Sequence, residues 1–86
     1  MSLVAFMPLD MPIISFGRST NNILAINDHK VSRYHGEISL EEGVYVIRDL
    51  GSTNGTIVDG ARVSEASLQD GSIIRIGETT LTYKSR

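Results

Sequence analysis

The chain has 86 residues, 41% of them hydrophobic, with eight Lys and Arg against ten Asp and Glu for a formal net charge of −2. That length and composition permit one small domain with a modest core, and the acidic balance argues against nucleic acid as a partner. The absence of cysteine excludes a disulfide scaffold, a Cys-ligated metal and a Cys nucleophile, and fits a reducing, cytoplasmic setting.

In sequence order, the first apolar run covers residues 3–7, inside MSLVAFMPLDMPIISF. This opening has no Lys or Arg and is interrupted by Pro8, Asp10 and Pro12, so it does not read as a signal peptide, and no run is long enough to insert in a bilayer. Met1-Ser2-Leu3 has the look of a cloning remnant. The whole sequence, 1–86, reads as a single domain cut from a larger protein, with its motif-bearing core over 12–84.

Further short runs at 12–17, 23–26, 36–40, 44–49, 56–58, 62–63, 72–76 and 79–84 also read as strands. They are rich in Ile, a β-former, and no window shows a helical apolar period. Residues 64–68 are expected to form a helical turn. Glu42-Gly43 and Asp59-Gly60 are hairpin signals, and Gly77-Glu78, with Gly first, suits a type II′ turn. Asn54-Gly55 carries the same hairpin signature. Many short strands at even spacing predict an all-β fold, an antiparallel sandwich or barrel. Core candidates are Ile23, Ile26, Ile38, Val46, Ile47, Ile74, Ile76 and Leu81. Asp49 and Leu50 read as strand-end and core positions.

The polar residues of interest then fall in loops, at 19–22, 29–35 and 51–54, where binding residues usually sit. Gly17-Arg18, then S-R-Y-H at 32–35, D-L-G-S-T-N-G-T at 49–56, V-D-G-A-R at 58–62 and L-Q-D-G-S-I-I-R-I-G at 68–77 follow one another in an order and spacing that resemble a forkhead-associated (FHA) domain. The resemblance covers residues 12–84. It implies a β-sandwich of the SMAD/FHA type whose loops at one end bind phosphothreonine peptides, with no catalysis and no cofactor. It implies that Arg18 contacts the phosphate and that Ser32 meets it through hydroxyl and backbone. It further implies that Thr53 lines the phosphothreonine site, that Asn54 bonds the peptide backbone, and that Gly17 and His35 shape the loops. Gly55 makes the turn behind Asn54. Arg33 stands where the family's residue has a variable role. The partner implied is a phosphothreonine-bearing protein, the substrate of a Ser/Thr kinase.

The chemistry of the residues agrees with this. A phosphothreonine brings about −1.5 to −2 charges and three strong acceptor oxygens. Arg18 offers a planar fork for bidentate phosphate contact, Ser32 an O–H, and Lys30 and Arg33 add positive potential around Ser32 in an acidic protein. Asn54 bears donor and acceptor on one amide and can pair with a peptide backbone of any sequence. Lys30 would favour an acidic residue in the peptide.

Other chemistries are less well served. Ser32 and His35 suggest nucleophilic catalysis, but no strand-to-helix elbow, orienting acid or oxyanion hole is visible, and a His in a small β-domain is more often a buried hydrogen-bonding residue. The loop at 51–55 lacks the Gly-Lys-Ser/Thr end of a P-loop, and no group of residues has metal-ligand spacing. The alternative function is a phosphate-independent scaffold of the same fold, against which the presence of Arg18, Ser32 and Asn54 argues.

Overall fold

The computed structural model describes residues 11–84, so the strand expected over 3–7 lies outside the described residues. Among the described residues nine strands form and no helix. One sheet has the order β2-β1-β3-β4-β7, built from β1 (Ile13–Gly17), β2 (Leu24–Ala25), β3 (Gly36–Glu41), β4 (Val44–Asp49) and β7 (Glu65–Ser67). The other has the order β6-β5-β8-β9, from β5 (Thr56–Val58), β6 (Ala61–Val63), β8 (Ile73–Ile76) and β9 (Thr79–Thr82).

The period-two pattern sets which residues meet between the sheets. Phe16 of β1, Ile38 of β3 and Ile47 of β4 cluster with Val58, Ile74 and Ile76 of the second sheet, and all are buried, as is Ile14 of β1. Along β8, Ile74 and Ile76 are buried while Ile73 and Arg75 are exposed. Burying one such apolar side chain fully contributes about 1.5–3 kcal/mol, and Phe16, Ile47 and Ile76 are completely buried. The core continues under the long connection from β2 to β3 through Ile26 and Val31, which anchors that loop.

The hairpins close as expected. Glu42 (φ 52°) and Asp59 (φ 50°) both adopt the left-handed conformation that the first central residue of a type I′ turn requires, and Gly77 (φ 63°) opens the two-residue turn between β8 and β9.

Five expectations are corrected. Residues 64–68 are not a helical turn; they contain β7, which pairs antiparallel with β4 (Val46 with Ser67, Arg48 with Glu65) and covers what would be an open strand edge. Asn54-Gly55 is not a hairpin turn, because β4 and β5 lie in different sheets. Leu50, just past the end of β4, is 55% exposed because neither sheet extends over it, and Ile23 is 48% exposed because it precedes a two-residue edge strand. Leu81 is only partly buried. The pairing of β1 with β2 is parallel within an otherwise antiparallel sandwich.

Candidate functional site

Three loops converge at one end of the sandwich. The backbone after β1 runs against the β2–β3 connection, with Arg18 N–H donating to Ser32 O (3.0 Å) and Ser19 N–H to Arg33 O (3.2 Å). This approach requires a missing side chain at residue 17, where a Cβ would stand 2.2 Å from the Arg33 carbonyl oxygen. Asn22, buried, clamps the same junction by donating Nδ2 to Ser19 O (2.9 Å) and Arg33 O (2.7 Å). Arg18 Nε donates to Val31 O at 3.2 Å. That bond orients the guanidinium, and among the described residues no carboxylate pairs with it.

The 50–55 loop folds around a carboxylate. Asp49 Oδ1 accepts the N–H groups of Gly51 (3.0 Å) and Ser52 (2.8 Å), and Oδ2 accepts the hydroxyls of Ser52 (2.5 Å) and Thr56 (2.8 Å). Burial pushes this carboxyl up, but the Ser52 and Thr56 hydrogen bonds outweigh it and hold the pKa below the usual 3.8. Ser52 Oγ in turn accepts Gly55 N–H at 2.9 Å. Gly55 has φ +86°, and a Cβ there would meet the Arg62 side chain at 2.5 Å. Two bonds then join this loop to the β2–β3 connection: Thr53 N–H donates to Ser32 Oγ (3.1 Å) and Asn54 Nδ2 to Lys30 O (2.8 Å).

His35 sits beneath this junction, completely buried and 5.7 Å from Phe16, ring centre to ring centre. Its Nδ1 accepts Ser32 N–H at 3.1 Å, so Nε2 bears the proton and donates to Gly55 O at 2.9 Å. Asp49 Oδ2 lies 3.5 Å from Nε2. Asp49, His35 and Ser32 thus line up in the manner of a catalytic triad, but the ring's acceptor nitrogen is occupied by the Ser32 backbone N–H. It cannot take a proton from the Ser32 hydroxyl. The imidazole is a strut that fixes the backbone of both loops.

On the far side, Asp28 accepts Lys30 N–H (2.9 Å), Glu78 N–H (2.8 Å) and the Thr79 hydroxyl (2.8 Å), welding the loop to the β8–β9 turn. The Lys30 backbone bond is the largest influence holding the Asp28 carboxyl below its ordinary value. Lys30 Nζ pairs with Glu78 at 3.0 Å, so this ammonium is partly neutralised from within the domain. The Arg33 side chain is exposed while its carbonyl serves the loop junction.

A family model described as FHA domain matches residues 14–77. The protein belongs to the FHA-domain family. It is similar to the glycogen accumulation regulator GarA of Mycolicibacterium smegmatis, 39% identical over 75 residues, which are 87% of this chain and 48% of that protein. The sequence therefore spans about half the length of that relative. Among solved structures, Mycobacterium tuberculosis EmbR in complex with a low-affinity phosphopeptide superposes with a TM-score of 0.86 at 36% identity, over 90% of this chain and 21% of that one. A structure concerned with phosphothreonine-dependent FHA domain interactions superposes equally well, with a TM-score of 0.86 and 36% identity over 91% of this chain and 81% of that one.

In this FHA domain the fold brings Arg18, Lys30, Ser32, Arg33, Thr53 and Asn54 into one loop cluster, with Gly17, His35 and Gly55 supporting it from behind. Thr53 enters through its backbone N–H; its side chain is exposed. Sequence reasoning overlooked Asn22, Asp28, Asp49 and Ser52 as organisers of the cluster. A signal for two of them exists in D-L-G-S, where an Asp precedes Gly and Ser at the spacing of an Asx turn.

Proposed function

We propose that the loop end binds phosphothreonine peptides reversibly and without catalysis, serving a phosphorylation-dependent protein–protein contact in the cytoplasm. The observation that carries this reading is Arg18: its plane is set by one carbonyl, its terminal nitrogens are unclaimed by any described carboxylate, and its backbone N–H is bonded to the carbonyl of Ser32, in a protein of net charge −2. A dianionic phosphate meets there a bidentate cation and an O–H donor, while Asn54 turns its remaining amide proton and its carbonyl oxygen toward the peptide backbone. The phosphopeptide-bound state of EmbR, similar in fold and sequence, adds support. Arg33 contributes long-range positive potential. The domain acts as one module of a longer protein, whose partner is a kinase substrate.

The test is a degenerate phosphothreonine-peptide library titrated against wild type and Arg18→Ala, with phosphoserine and unphosphorylated controls. Binding that needs phosphothreonine and disappears in the variant is expected. No binding by folded wild type, or equal binding by Arg18→Ala, transfers the assignment to a phosphate-independent scaffold.

A further inference from the structure

Asn54-Gly55 is the one Asn-Gly pair in the sequence, and Asn54 is exposed. With no Cβ on the following residue, the Gly55 nitrogen meets little steric hindrance to approaching Cγ, the amide carbon of Asn54, once the chain there is free to move. In the reaction such pairs undergo, the deprotonated Gly55 nitrogen attacks Cγ, an N–Cγ bond forms, and the Cγ–Nδ2 bond breaks. Nδ2 leaves as ammonia with the proton that Gly55 gave up. Water then opens the five-membered imide. Cleavage of the new N–Cγ bond gives aspartate, and cleavage of the original peptide bond between residues 54 and 55 gives isoaspartate. Nothing is oxidised or reduced.

The fold restrains both reacting groups. The nucleophile is occupied, since Gly55 N–H donates to Ser52 Oγ at 2.9 Å, and Ser52 is itself fastened to Asp49 through hydroxyl and N–H. The leaving amide is occupied too, since Asn54 Nδ2 donates to Lys30 O at 2.8 Å. Gly55 is buried and its carbonyl is held by His35. Cyclisation therefore requires this loop to open locally, and its rate follows the open population.

We propose that Asn54 is a deamidation site whose rate is set by the Ser52 hydroxyl, and that its conversion switches the loop end off irreversibly. An aspartate at 54 has no N–H for the Lys30 carbonyl and sets a carboxylate against that oxygen. It also adds a negative charge to the loop that meets Ser32, where the proposed ligand brings its own. The kinetic half of this stands on the geometry alone; the loss of binding rests on the phosphothreonine reading.

The experiment holds native wild type, wild type in guanidinium chloride, native Ser52→Ala and native Ser52→Thr at mildly alkaline pH. Conversion at Asn54 is followed by peptide-mapping mass spectrometry with isoaspartate detection. Unfolded wild type should convert at least about tenfold faster than native. Ser52→Ala should raise the native rate about fivefold, the factor one lost hydrogen bond corresponds to, and Ser52→Thr, which keeps the hydroxyl, should stay near wild type. Should Ser52→Ala fail to fold by circular dichroism, the comparison of native, unfolded and Ser52→Thr proteins decides. Native conversion as fast as in denaturant overturns the proposal, as does a folded Ser52→Ala no faster than wild type. Deamidated protein, separated by ion exchange, should bind phosphothreonine peptide at least about tenfold more weakly than fresh protein. Equal binding overturns the switch. Fresh protein that binds no phosphopeptide overturns the switch together with the phosphothreonine reading, while the rates still decide whether Asn54 is a guarded deamidation site.

Discussion

Arg18, just past the end of β1, and Arg48, on the outer face of β4, bear the same guanidinium and are put to different uses. Arg48 gives Nη2 to Glu41 Oε1 at 2.9 Å, Nη1 to Glu41 Oε2 and to Ser39 Oγ at 3.1 Å, and Nε to Glu65 Oε1 at 3.3 Å. Its hydrogen bonds, with that from Ser39, hold the Glu41 carboxyl down to about 2. Arg18 gives one N–H to a backbone carbonyl and meets no carboxylate among the described residues. The difference lies in where the acids turn. The two aspartates that organise the loop end, Asp28 and Asp49, direct their oxygens to backbone amides and hydroxyls of the loops they join. Asp28 and Asp49 are thus committed to internal hydrogen bonds, and Arg18 keeps no carboxylate partner among the described residues, while Lys30 keeps one in Glu78.

Removing each arginine in turn gives the largest effect. Arg18→Ala should cost about 2–5 kcal/mol in phosphopeptide binding and leave thermal unfolding unchanged. Arg48→Ala should do the reverse, lowering the melting temperature slightly, as the loss of exposed ion pairs does, with no change in affinity by calorimetry. If Arg48→Ala weakens binding as much as Arg18→Ala, the two cations are not distinct in role.

Asp49→Asn sharpens the comparison from the acid side. It sets an amide among donors and should cost about 1–3 kcal/mol in chemical denaturation. Because the folded Asp49 pKa lies below its ordinary 3.8, this group stabilises the fold above that value, and its contribution is lost as pH falls through the folded pKa. Wild type should therefore lose stability below about pH 4, and Asp49→Asn should show a shallower slope there. A wild-type slope no steeper than the variant's would remove Asp49 from the site's foundations.

Phosphopeptide affinity should fall by up to about tenfold per pH unit below about pH 6, as the phosphate loses its second charge. A flat profile by fluorescence titration would mean that the dianion is not what Arg18 recognises. The smallest effect belongs to Glu78→Gln. It releases Lys30 from its exposed ion pair and should raise affinity by about twofold to threefold at low salt, vanishing at high salt. Weaker binding instead would identify Glu78 as a ligand contact.

Strand positions and hairpins were legible in the sequence because alternation and turn chemistry are local: Ile74 and Ile76 face inward, and Asp59-Gly60 turns, for reasons contained within a few residues. The failures share a cause. Residues 64–68 resemble a helical turn until β4 offers an open edge, and Leu50 looks like core until the sheets are seen to stop short of it. The Lys30–Glu78 ion pair is hidden from the sequence for the same reason, since the β8–β9 turn brings Glu78 to Lys30 from far along the chain.

The sequence by itself determined the family, the sandwich and the identity of the loop residues, because those follow from motif order and from functional-group chemistry that no fold can alter. Tertiary structure alone decided their states. It left Arg18 without a carboxylate among the described residues and enclosed Arg48, gave the His35 acceptor nitrogen to a backbone amide, and set Asp49 at the centre of the 50–55 loop. The physical reason is that a hydrogen bond or ion pair is fixed by distances of about 3 Å between groups, and residues tens of positions apart come within that range only when both sheets have closed.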